Sequence, residues 1–142
     1  MNKVIKEEFI EFEKYHKNIY NIYFHILCGF IFMTFLFLLS KKYSYILLSF
    51  YTLLILFTTH NFLISFSIYI FIYFLIYFIK QFNFNKTITF VLFFIFYFLP
   101  DLSHFLTNEP SMLNMDNLTP LSLFTNIFYL LPFSLLCLSN SS

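Results

Sequence analysis

Apolar and polar positions along this chain fall in long blocks, and the blocks predict the elements. Residues 1–21 set Lys3, Lys6, Lys14 and Lys17 against Glu7, Glu8, Glu11 and Glu13, with Val4, Ile5, Phe9, Ile10 and Phe12 between them. That pattern predicts an amphipathic helix lying at a membrane interface. Its charged run is too long and too acidic for the head of a secretory signal, and no small-residue cleavage site follows, so the segment is expected to be retained. Residues 22–40 form the first run able to cross about 30 Å of hydrocarbon at about 1.5 Å per residue. Lys41-Lys42 ends it. From Tyr45 to Ile79 the sequence is apolar for too long to be one helix, and Thr58-Thr59-His60-Asn61 is the one polar interruption. Two antiparallel spans, 45–58 and 62–79, joined by a tight turn at His60, account for it. Lys80 to Lys86 makes the next loop, a fourth span covers 87–99, and Pro100-Asp101 marks its irregular exit. His104 and Glu109-Pro110 follow, and a polar stretch to Thr119 leads into a last apolar segment, 120–138, which Pro132 is expected to kink. Ser139 to Ser142 reads as a short disordered tail. With no internal repeat and no domain boundary, residues 1–142 read as one all-α membrane domain. It is a bundle of four to five transmembrane helices preceded by an amphipathic helix.

Composition supports that class, since 60% of residues are hydrophobic and only 11% charged, far from the average of a soluble domain. The 25 Phe and 11 Tyr come with no Trp and no Ala or Arg, a bias that AT-rich codons produce without selection on the protein. Aromatic richness therefore does not argue for an aromatic binding site. A net charge of +1 and scattered lysines give no electrostatic case for nucleic acid. Cys28 and Cys137 lie in separate apolar segments with neither zinc spacing nor a disulfide framework, and read as packing residues.

Counting crossings places the polar residues. If the first span begins on one side, the turn at His60 returns to that side, as does the segment holding His104 and Glu109. His16 and His25 lie at the mouth of the first span on the same side, so all 4 histidines of the chain converge on one membrane face. Lys41, Lys42, Lys80 and Lys86 fall on the other. Four lysines on each side leave the positive-inside rule undecided.

Between Tyr15 and His25 the charged head turns into lipid-soluble sequence, and His16, Asn18, Asn21 and His25 sit within it. On one straight helix His16 and His25 lie about two and a half turns apart and do not share a face. Asn18 and Asn21 neighbour each other, as do Asn21 and His25. One histidine in an apolar helix is ordinarily a hydrogen-bonded core residue, but four on one face point to a functional interior, because ionisable groups at membrane depth are costly. Imidazoles suit iron, zinc, copper or nickel, and no thiolate cluster argues for a structural metal. Glu109 fits three roles: ligand, acceptor that orients a ligand imidazole, or solvated charge near a helix end, with the orienting role ranked first. The paired adjacent histidines of membrane di-iron desaturases are absent.

Tyr15-His16-x-Asn18-x-x-Asn21-x-x-x-His25 resembles the N-terminal signature of the yeast-type 2-hydroxy fatty acid dioxygenases, small multi-pass membrane proteins. His104 with Glu109-Pro110, then Leu113 and Asn117-Leu118, is similar to that family's C-terminal Gly-His-x-x-x-Glu-x-x-x-Pro block and the Asn-Leu after it. With the apolar spans between, the resemblance covers nearly the whole chain. Ser103 stands where the family has Gly, Glu109 lies one residue further from His104 and is followed directly by Pro110, and the Gly-x-Pro after the second histidine is reduced to Cys28-Gly29-Phe30. His60 has no counterpart.

The resemblance implies an iron(II) enzyme of the endoplasmic reticulum membrane, its histidine face cytosolic. With dioxygen it would shorten 2-hydroxy fatty acids by one carbon, a step in degrading the phytosphingosine base of sphingolipids. His16, His25 and His104 are then the expected ligands of Fe(2+), with Asn18, Asn21 and Glu109 supporting them at the site. Position admits His60 as a fourth ligand, and the other reading has His60 and Asn61 capping two helices. The rival from another class is a non-catalytic membrane protein, a small transporter or an assembly subunit, whose histidines merely pair with backbone.

Overall fold

A computed structural model describes residues 1–110 and 120–141. Leu113 and the Asn117-Leu118 pair lie outside the described residues. Among the described residues there are seven helices and no strand: α1 Lys3–Tyr15, α2 Ile19–Leu38, α3 Ser44–Thr59, α4 Phe62–Lys80, α5 Lys86–Thr107, α6 Pro120–Phe128 and α7 Leu130–Ser141. Asparagine starts four of them. Asn2, Asn18, Asn61 and Asn85 each accept a hydrogen bond from a backbone N–H in the first turn of α1, α2, α4 and α5, supplying an acceptor that lipid cannot.

α2 is the axis. It packs against α5, α7, α4 and α3, and it buries Ile22, Cys28, Phe32, Met33 and Phe35 together with Asn21 and His25. α5 runs antiparallel to it, so that Asn21 meets Ser103 and His104 at one end while Leu38 and Thr89 line one cavity at the other. Gly29, the only glycine, lets α7 approach α2: a Cβ there would lie 3.1 Å from the Cβ of Leu131. Both cysteines are buried and free.

α2, α4 and α5 are long and apolar enough to cross a membrane, while α3 and α7 are apolar but shorter. Large apolar side chains such as Phe57, Phe62, Leu63, Phe74 and Phe105 stand exposed around α3, α4 and α5. That surface is compatible with a membrane protein.

Three stretches depart from the sequence reading. The N-terminal helix stops at Tyr15, and α2 starts at Ile19, because Asn18 caps a new helix instead of continuing the old one. Pro100 lies inside α5, which runs on to Thr107. The last apolar segment is interrupted at Tyr129, giving helices of 9 and 12 residues, each too short to span. Pro132 is the cause. Having no N–H, it leaves the carbonyl of Phe128, four residues back, without its helical donor, and the Tyr51 hydroxyl supplies one at 2.9 Å. Both halves lie along α1, where Thr125 bonds Glu8 and Phe133 packs on Phe9 and Phe12. α7 continues to Ser141, through residues expected to be a disordered tail.

Candidate metal centre

The break between α1 and α2 builds the site. His16 leaves the helix with φ −129° and ψ 69°, and the turn folds its ring back over α2, bringing together two histidines that one straight helix would have held apart. Its ring stacks on Phe12 with centroids 3.7 Å apart. His104 arrives from α5, one turn after Pro100. His16, His25 and His104 are each no more than 3% exposed, and one ring nitrogen of each lies within 4.8 Å of the others. Three buried histidines thus stand close enough to bind one metal ion.

Hydrogen bonds fix the protonation of two of these rings. His16 Nδ1 donates to the Phe12 carbonyl at 2.8 Å, and His25 Nδ1 donates to the Asn21 carbonyl at 2.9 Å. A neutral imidazole has one N–H and one lone pair, so both Nε2 atoms carry lone pairs, and they face each other at 3.2 Å. Neither has a proton to offer the other, and a cation held between them answers both. Burial above all, with the His25 ring beside it and then His104, pushes the His16 pKa down to about 2 against the pull of the Phe12 carbonyl. At neutral pH its lone pair is therefore free for a metal.

Asn21 and Glu109 hold the third ring. One Glu109 oxygen accepts the backbone N–H groups of Lys17 and Asn18 at 2.7 and 2.8 Å, and the other accepts from Asn21 Nδ2 at 2.6 Å. A carboxylate only accepts, so the amide nitrogen of Asn21 must face it, and the same nitrogen lies 3.3 Å from His104 Nδ1. The Ser103 hydroxyl bonds Asn21 Oδ1 on the other side. Asn108, in the left-handed region at φ 55°, ends α5 and lets the Glu109 N–H return to the His104 carbonyl at 3.0 Å. This turn aims the carboxylate at the start of α2, where helix N–H groups attract negative charge.

The candidates from the sequence therefore separate. His16, His25 and His104 come together. Asn21 touches His104, Glu109 acts through Asn21 and the α2 N-terminus, and the Asn18 side chain caps α2 by accepting from Tyr20 N–H at 2.9 Å. His60 stands exposed in the α3–α4 turn at φ 54°, outside the three-histidine group. Asn2 N–H bonds the Thr58 carbonyl at 2.8 Å, which fixes the start of α1 beside that turn. α1 then carries the chain about 20 Å along before His16. Ser103, noted in the sequence only as a departure from Gly, and Phe12 are support residues that sequence reasoning missed. Phe12's spacing of four from His16 was the available signal. Tyr97, Asp101 and Asn126 join the three histidines around a cavity of about 50 Å³. Asn126, a polar residue inside an apolar run, was legible in principle.

No family model, curated protein or solved structure matches the chain.

Proposed function

We propose that this chain is an iron(II)-dependent dioxygenase of the endoplasmic reticulum membrane that shortens 2-hydroxy fatty acids by one carbon. The observation that carries the reading is the buried trio of histidines in which the Nε2 lone pairs of His16 and His25 face each other. A donor set of neutral imidazoles fits ferrous iron. When bound, the iron supplies the site at which dioxygen and the substrate's hydroxyl and carboxylate meet. His16, His25 and His104 would hold it. Phe12 and the Asn21 carbonyl keep the protons of His16 and His25 on Nδ1, and Glu109 fixes the Asn21 amide beside His104. One dioxygen suffices without an external reductant, since the 2-hydroxy acid yields a shortened acid, carbon dioxide and water. A cavity of about 50 Å³ lies beside the three rings, and the acyl chain is left to the apolar side chains outside it.

The membrane reading extends the three apolar helices to the α3–α4 hairpin as an inserted pair. α1, α6 and α7 then form an interfacial layer over the histidine end, the face that the resemblance assigns to the cytosol. The rival reading, a non-catalytic membrane protein, draws on the backbone bonds of His16 and His25. Purified protein assayed for iron and for conversion of 2-hydroxypalmitate separates the two. Bound iron together with an acid product one carbon shorter supports the dioxygenase, and iron-free protein with no conversion supports the rival.

A further inference from the structure

At the far end of the α2–α5 pair, about fifteen residues from the histidines along each helix, the two lysine loops close around a second cavity of about 250 Å³. Its rim and its wall differ in chemistry. Lys41, which follows α2, and Lys80, the last residue of α4, bring two cations to it, and Asn83 adds an amide. The wall is made by Leu38, Ile79 and Phe84. Lys80 is held in place, its ammonium 4.3 Å from the centroid of the Tyr45 ring, close enough for cation–π attraction. Between Glu13 and Asp101 the sequence contains no acidic residue, so this end has no carboxylate of its own loops to neutralise its lysines. Lys42 and Lys86 lie in the same loops but do not line the cavity.

We propose that this cavity binds the head of an anionic phospholipid. The phosphate sits between Lys41 and Lys80 within reach of Asn83, and the first part of an acyl chain lies on Leu38, Ile79 and Phe84. Two observations support an amphiphile over a free anion. The cations stand directly beside an apolar wall, and the cavity opens at the end of helices whose exposed surfaces are apolar. Each lysine at such a surface contributes about a fivefold preference for an anionic head.

The test uses the full chain purified in a nonionic detergent, titrated with dihexanoyl phosphatidic acid, dihexanoyl phosphatidylcholine or inorganic phosphate, with thermal unfolding as the readout. Wild-type protein should respond to phosphatidic acid at concentrations at least about tenfold below those needed of phosphatidylcholine or phosphate. K41Q/K80Q should lose that preference, and K42Q/K86Q, with the same loss of charge, should keep it. Because Lys80 packs on Tyr45, the exposed Lys41→Gln is made alone as well, and it should weaken phosphatidic acid about fivefold. Equal response to the two lipids, or an equal loss in K42Q/K86Q, would overturn the site. Inorganic phosphate acting as strongly as phosphatidic acid would overturn the lipid.

Discussion

The two ends of the α2–α5 pair are built from the same two helices and do opposite things with polar groups. At the histidine end the side chains are buried, and each is tied to a named partner: Phe12 for His16, the Asn21 carbonyl for His25, Glu109 and Ser103 for Asn21. At the lysine end the charges of Lys41, Lys42 and Lys86 are exposed, and they share their loops with no carboxylate. Specificity therefore has a different source at each end. A buried polar cluster must be satisfied group by group, since each unpaired atom costs about 1–3 kcal/mol, so the one contact that hydrogen bonding leaves open, Nε2 against Nε2, is informative. An exposed cationic rim carries no such requirement, and it selects by charge and by the apolar wall behind it.

The most damaging change to the histidine end should be loss of a ring. His16→Ala, His25→Ala and His104→Ala are each expected to abolish iron binding and fatty-acid shortening while membrane insertion persists, as read by metal analysis, product assay and membrane fractionation. Glu109→Gln should cost less, roughly 10–100-fold in metal affinity or turnover, because a Gln oxygen can still accept from the α2 N-terminus while Asn21 loses its charged partner. An intact affinity in Glu109→Gln would mean that the strap from α5 to α2 does not orient His104.

Tyr51 lies outside both ends and bonds the Phe128 carbonyl, and Tyr51→Phe isolates that bond. Removing the only donor described for the Phe128 carbonyl should destabilise the fold by about 1–3 kcal/mol in denaturant unfolding, with iron stoichiometry unchanged. Smallest of all should be His60→Gln, which is expected to keep full iron content and turnover because the exposed turn lies about the length of α1 from His16. K41Q/K80Q should likewise leave iron content at the wild-type level. Cysteines introduced beside Ser44 and beside His60 should label from opposite sides of the membrane, and the same experiment reports which leaflet meets the lysine end. Labelling from one side would break the α3–α4 hairpin as drawn.

What was legible in the sequence was whatever depended on blocks of apolar residues and on local caps. The two lysine loops, the turn at Thr58 to Asn61 and the starts of α2 to α5 follow from charge, polarity and asparagine, and they lie within a few residues of where the pattern placed them. The rest needed tertiary contacts. α2 is apolar on nearly every face, so periodicity gave it no orientation. The break that joins His16 to His25 depends on Asn18 starting a helix while Glu109, some ninety residues on, takes the N–H groups of Lys17 and Asn18. Pro132 announced a disturbance, but its position, at Tyr129, follows from the carbonyl it leaves for Tyr51. His60 lies in the turn that the polar interruption predicts, yet outside the three-histidine group, because crossing counts give a face and not a distance along it.

Whether the three buried rings hold a metal is read from metal content. Full-length protein purified anaerobically with ferrous iron supplied, beside a variant lacking His16, His25 and His104, is analysed for iron per chain. Wild-type protein should carry about one iron per chain, from the three-histidine group, and the variant none. Equal iron in both proteins, or none in either, would contradict metal binding by the three rings.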